Sequence, residues 1–189
     1  MGSIVFWVVV GVVAAYAVMV YNGLVSLKHN VSKAWANIDV LLKQRGEELP
    51  KLVETCKQYM AHEKDTLERV IKARSAVSTA AAAGDVAAVG AAEGELRGLL
   101  GRLFAVAEAY PDLKANETFR HLQSRITQLE HGIADRRELY NESVNLNNVR
   151  IETVPDVFVA RLFGFGPAKL FEIGEAERKD VDLGQLFKP

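Results

Sequence analysis

Residues 4–21 (IVFWVVVGVVAAYAVMVY) form an unbroken apolar run, and residues 1–27 contain no charged side chain. A helix of 18 residues rises about 27 Å, close to the hydrocarbon thickness of a bilayer. Residues 1–21 are therefore predicted to be a transmembrane anchor. Ile4 opens the run, and Trp7 and Tyr21 lie near its two ends, where amphipathic rings meet the membrane interfaces. The rival reading is a cleaved signal peptide, since Ala15-Tyr16-Ala17 has the small-residue pattern of a cleavage site. No Lys or Arg precedes the apolar stretch, which favours the uncleaved anchor. Gly11 and Ala15 form a small-xxx-small pair that lets two such helices approach closely; small residues that simply face lipid give the same pattern.

Charge restricts the rest. Twenty-three Lys and Arg stand against 24 Asp and Glu, a net charge of -1 with no basic cluster, so no nucleic-acid partner is expected. The single cysteine, Cys56, cannot close an intramolecular disulfide, build a Cys-based zinc site or serve as a lipoprotein cysteine near the N-terminus. Lys28 and Lys33 follow the apolar run, with Lys43 and Arg45 further on, while none precedes it. The positive-inside rule then places the N-terminus outside and the larger part of the chain in the cytoplasm.

Beyond residue 22 apolar residues recur at three and four, the helical period. Leu24, Val31, Trp35, Ile38 and Leu42 share one side of a helix that continues the anchor to about Arg45, where Gly46 is expected to break it. Pro50 suits the first turn of a second helix carrying Leu52, Cys56, Leu67, Val70 and Val77 to about Ser78. Asp85 is a candidate N-cap for a third helix, whose Val89, Leu96, Leu100 and Leu103 follow the alternating four-and-three spacing of a coiled coil and which ends at Pro111. A fourth carries Phe119, Leu122, Ile126, Leu129, Ile133, Tyr140 and Ile151, and stops before Pro155. The expected fold is all-α: the transmembrane helix continuing into an up-down-up-down antiparallel four-helix bundle over residues 22–155, followed by an apolar segment and tail, 156–189.

Several blocks in this order resemble the LemA family of bacterial membrane-anchored proteins: YNGLV at 21–25, AWANIDVLLKQR at 34–45, LPKLVETCKQYMAHEKDTLERVIKAR at 49–74, EAYPDLKANETFRHLQ at 108–123, RRELYNESV at 136–144 and VPDVFVARLFGF at 154–165. The resemblance implies a transmembrane anchor followed by a helical bundle and no established activity. Some members are associated with membrane remodelling or intracellular membrane compartments, and the expected location of this chain is the bacterial cell (inner) membrane. Gly46-Glu47-Glu48 departs from the family's more apolar approach to the proline.

Alternating helix directions would return the chain to the bilayer at the second connection and after Pro155. Composition agrees with that polarity. The connections expected to be distal are rich in charge, with Lys43, Arg45, Glu47, Glu48 and Lys51 at one and Glu108, Asp112, Lys114 and Glu117 at the other. Residues 75–92 carry only Asp85, and residues 154–165 only Asp156 and Arg161, while presenting Phe158, Leu162, Phe163 and Phe165. Both segments are therefore expected at the membrane interface or against neighbouring copies. The alternative is a close-packed Ala-rich hairpin, with the Phe-rich stretch capping the bundle's own core. Lengths conflict: about 24 residues of the first helix lie outside the membrane, roughly 36 Å, against about 42 residues or 63 Å in the fourth. The fourth is thus expected to tilt, to break near Asn147-Asn148, or to project.

Catalytic signatures are missing from the sequence. There is no HExxH, P-loop, GxGxxG or GxSxG. Glu117 and His121 have the wrong spacing for a di-iron Glu-xx-His, and His62-Glu63 and Glu130-His131 are adjacent pairs pointing in different directions. No enzymatic activity, cofactor or metal is expected. Glu63, Arg74, Glu93 and Arg136 occupy stripe positions, where a lone buried charge costs several kcal/mol. They are expected to form an interhelical polar layer; a polar partner-binding groove is the functional alternative. The expected partners are the lipid bilayer, further copies in a homo-oligomer and a membrane protein. The leading expectation is a self-associating scaffold or membrane-organising module, the alternative an adaptor for a membrane protease or other envelope protein.

Overall fold

In the computed structural model, which describes residues 1–173, helices account for every regular element: α1 (Gly2–Lys57), α2 (Lys64–Ala82), α3 (Val86–Ala107), α4 (Pro111–Ala115), α5 (Glu117–Glu152) and α6 (Asp156–Leu162). The part of the predicted tail from residue 174 lies outside the described residues.

The break expected at Gly46 is absent. α1 runs through Gly46 and Pro50 for 56 residues, about 84 Å. A proline inside a helix removes the bond from its own nitrogen to the carbonyl four residues back. For Pro50 that carbonyl belongs to Gly46, and the Arg74 Nε of α2 donates to it at 2.9 Å. A tertiary hydrogen bond thus replaces the one the sequence cannot make, and the helix continues. α1 ends instead at Lys57, ahead of a turn that buries Met60 and brings the Tyr59 hydroxyl to accept from Asn116 Nδ2 at 3.1 Å. The predicted second helix is therefore divided: its first part belongs to α1, its remainder to α2.

Other ends follow local chemistry. The Asp85 carboxylate caps α3, accepting from the amides of Ala87 and Ala88. Gly84, at φ +68°, closes α2 with Asp85 N bonded to the Ala80 carbonyl and Gly84 N to that of Ala81, a Schellman arrangement. Asn116 Oδ1 accepts from Phe119 N at 3.0 Å and starts α5. α5 does not break at Asn147-Asn148; it continues unbroken for 36 residues, about 54 Å.

Contacts group the described chain into two units. The first joins residues 1–37 to residues 136–170; the second comprises residues 38–135 with Phe171 and the two described residues after it. In the second, the Ala-rich stretch 75–92 forms the close-packed turn of the α2–α3 hairpin, burying Val77, Val89 and Gly90. The Glu172 carbonyl lies where a side chain on Gly90 would start: an added Cβ would meet that oxygen at 1.9 Å.

Candidate functional site

Of the four stripe charges, only Glu93 enters a buried ion-pair layer, and its partners lie outside the predicted set. Arg45 of α1, at 1% exposure, forms a two-toothed pair with Glu93 of α3, Nη1 to Oε2 at 2.9 Å and Nη2 to Oε1, while Nη1 also reaches Glu130 of α5 at 2.5 Å. Burial lowers the Arg45 pKa, but the two carboxylates more than reverse this and hold the guanidinium above its ordinary value. Arg74 serves the Gly46 carbonyl, Glu63 immediately precedes α2, and Arg136 is exposed in the other unit. Sequence reasoning misses Arg45 because a helix expected to end at Gly46 makes it a terminal residue. Its spacing from Ile38, Leu42 and Leu49, at four and three, is the available signal. Glu130 carries the same signal, four residues after the buried Ile126 and three before the buried Ile133.

The second place of interest lies at the end of the apolar run. In the first unit Val20 and Leu24 of α1 pack with Ile151 of α5 and Ala160 of α6, and Val159 and Phe165 close the cluster. The Tyr21 ring meets Phe163 edge-on with centroids 4.8 Å apart and Phe165 at 5.7 Å. Gly164, at φ +70°, makes this possible by turning the chain back after α6, with Phe165 N bonded to the Ala160 carbonyl at 2.9 Å. Beyond that turn the Asn148 amide holds Ala168 by two bonds, Nδ2 to the carbonyl at 3.0 Å and Oδ1 from the amide at 2.9 Å. The Tyr140 hydroxyl donates to the Lys169 carbonyl at 2.8 Å, its ring resting against Trp35, and burial raises its pKa.

α6 is inverted relative to a helix designed for water. Its inner face carries Ala160 and Asp156, the latter buried and ion-paired with Arg150. Its outer face carries Phe158 and Leu162, one turn apart and 67% and 78% exposed; Phe163 is 57% exposed. Val154 is also exposed, and Arg161 stands in solvent beside them. Of the four aromatic and aliphatic side chains singled out in the sequence, Phe163 and Phe165 therefore touch Tyr21, whereas Phe158 and Leu162 stay exposed among the described residues. In α1 itself, Ile4, Trp7, Gly11, Ala15 and Tyr21 are all exposed, and an added Cβ on Gly11 would meet nothing within 4 Å.

No group of three or more His, Cys, Asp and Glu among the described residues could hold a metal ion. The arrangement presents surface: an apolar rod ending in an apolar collar. α1 alone among the described helices is long and apolar enough to cross a membrane.

The chain matches known proteins along most of its length. The family model for the LemA family matches residues 34–184. The chain is 26% identical to the magnetosome protein MamQ 2 of Paramagnetospirillum magneticum over 95% of its own length and 75% of the relative's. It is 24% identical to the magnetosome protein MamQ of Magnetospirillum gryphiswaldense over 90% and 71%. With protein LemA of Metamycoplasma hominis it shares 27% identity over 87% and 74%. None of these names describes a catalytic activity. An all-helical chain with an apolar N-terminal helix, associated with the membrane and matched along most of its length, this protein belongs to the LemA family.

Proposed function

We propose that the protein is a non-catalytic single-pass membrane protein whose helical body is a self-associating scaffold that organises the membrane holding it. The observation that carries this reading is apolar surface left exposed among the described residues. Residues 4–21 are almost wholly exposed, and on α5 Leu139, Leu146 and Val149 are exposed at intervals of seven and three, the spacing of a coiled-coil seam. Lipid covers the first surface, and the second is where neighbouring copies pack. The open backbone at Gly11 and Ala15 lets adjacent anchors approach, so the span and the α5 seam act together.

In this reading residues 1–21 are the anchor in the bacterial inner membrane, with the N-terminus outside and the body in the cytoplasm, an orientation favoured by Lys28 and Lys33. The body, 22–155, is a four-helix bundle of α1, α2, α3 and α5, supported by the bonds that tie α1 to α2 through Arg74 and to α3 and α5 through Arg45. Residues 156–170 form a membrane-facing end. The magnetosome names of the relatives accord with a membrane-organising role.

The test is the size of the full chain extracted in mild detergent. One defined large species, reduced by Gly11→Ile or Leu146→Glu, is the expected result. A monomer that co-purifies stoichiometrically with another membrane protein would instead mark an adaptor, such as a subunit of a membrane protease or other envelope complex. A solitary monomer refutes both.

A further inference from the structure

We propose that α6 and the turn after it form an interfacial foot that lies in the headgroup region of a bilayer rich in anionic phospholipid, Phe158, Leu162 and Phe163 entering the acyl boundary and Arg161 meeting the phosphates. This rests on the reading of residues 4–21 as a span and adds to it a second membrane contact with a lipid preference.

Three observations converge. The first is height. Tyr21 closes the apolar run, and it is Tyr21 that Phe163 and Phe165 touch, while Ala160 packs on Val20 and Leu24. α6 is thereby pinned at the level where the span leaves the hydrocarbon, and its apolar outer face continues the exposed apolar surface of α1. The second is the sidedness of the helix. In water an exposed Phe158 and Leu162 over a buried Asp156 is the wrong way round; at an interface it is the favourable way, since the outer face loses water to lipid and Asp156 keeps its Arg150 partner inside. The third is charge. The first unit carries seven Lys and Arg against four Asp and Glu, a net +3, although the whole chain is -1. The excess accompanies the anchor and includes exposed Lys28, Arg161 and Lys169, as attraction to an anionic leaflet requires.

The experiment uses the full chain in vesicles of phosphatidylcholine with or without phosphatidylglycerol. A nitroxide is placed at Leu162→Cys, Phe158→Cys, Val12→Cys or Ser124→Cys in separate samples; unsubstituted protein with its buried Cys56 is the blank. Collision with dissolved oxygen against a water-soluble nickel chelate reports depth. The expected result is lipid-type accessibility at 158, 162 and 12 and water-type accessibility at 124. With phosphatidylglycerol present, Arg161→Gln should lower the ratio of docked to undocked label at 162 about fivefold, the worth of one basic side chain near an anionic surface. Water-type accessibility at 158 and 162 with Val12 still in lipid overturns the foot and leaves the anchor standing. Water-type accessibility at 12 as well overturns the anchor reading itself. Spin–spin broadening at 162 that dilution with unlabelled chain removes would show that a second copy, not lipid, covers the face, and overturns the proposal. A label equally deep with and without phosphatidylglycerol overturns the lipid preference.

Discussion

The continuity of α1 past Pro50 depends on a side chain of another helix, and this dependence can be measured. Replacing Arg74 by Leu removes the donor at 2.9 Å from the Gly46 carbonyl, and Pro50 has no N–H to replace it. A hydrogen bond from a charged donor contributes about 1.5–3 kcal/mol, and both residues are half-buried, so a loss of about 2 kcal/mol is expected. In a chain of this length that lowers the Tm by about 4–8 °C. Pro50→Ala supplies the missing N–H, so in that background the same Arg74→Leu should cost under about 1 kcal/mol, a coupling of at least about 1 kcal/mol between residues 24 positions apart in sequence. Thermal unfolding of the four proteins in one detergent, followed by helical circular dichroism, gives the cycle. Equal losses from Arg74→Leu with the proline present and with Pro50→Ala in place would refute the account of how the helix crosses its proline.

Four further outcomes follow from the geometry. Arg45→Met leaves Glu93 buried without its cation and should cost about 3–5 kcal/mol by denaturation, whereas Arg45→Met with Glu93→Leu should cost clearly less; equal losses would mean the pair is not one unit. Gly90→Ala places a methyl group against the Glu172 carbonyl and should destabilise by about 1–3 kcal/mol, while Gly98→Ala, in open space on α3, should stabilise by about 0.4–1 kcal/mol; melting curves of the two variants must move in opposite directions. Burial holds the Tyr140 phenol above its ordinary pKa, so its contribution is complete below about pH 10 and is lost as pH climbs through the folded value; Tyr140→Phe should lose about 1 kcal/mol at neutral pH and show a smaller alkaline decline than wild type in melts across that range. Burial pushes the Cys56 thiol up to about 12, so a thiol reagent at pH 8 should leave the folded chain unmodified and react fully in denaturant; rapid reaction with the native protein would contradict the buried position.

Much of the architecture is legible in the sequence because it rests on local chemistry. Asp85 reads as an N-cap from its carboxylate alone, because the cap bonds lie within three residues of it. Gly46 and Pro50 mislead because helix termination is judged from propensity, whereas the bond from Arg74 offsets part of that cost and burial of the neighbouring Leu49 and Leu52 offsets more of it. Of the three ways offered to reconcile the helix lengths, tilt, projection or a break near Asn147-Asn148, the break is absent: Asn148 bonds the backbone of Ala168 through its side-chain amide while α5 continues. The polar layer is legible only in Glu93: stripe position also selects Glu63, Arg74 and Arg136, which lie elsewhere, and passes over Arg45, because period alone does not say which polar position a neighbouring helix covers.

What the sequence determines by itself is the all-helical class and the apolar rod of 18 residues, because hydrophobic length and period are properties of the chain before it folds. What only tertiary structure decides is where α1 ends, which carboxylates surround Arg45, and that Phe163 returns to Tyr21. Each of these depends on groups far apart in sequence meeting at a few ångströms, and a hydrogen bond or ring contact at that range reverses local preferences worth only about 1–3 kcal/mol.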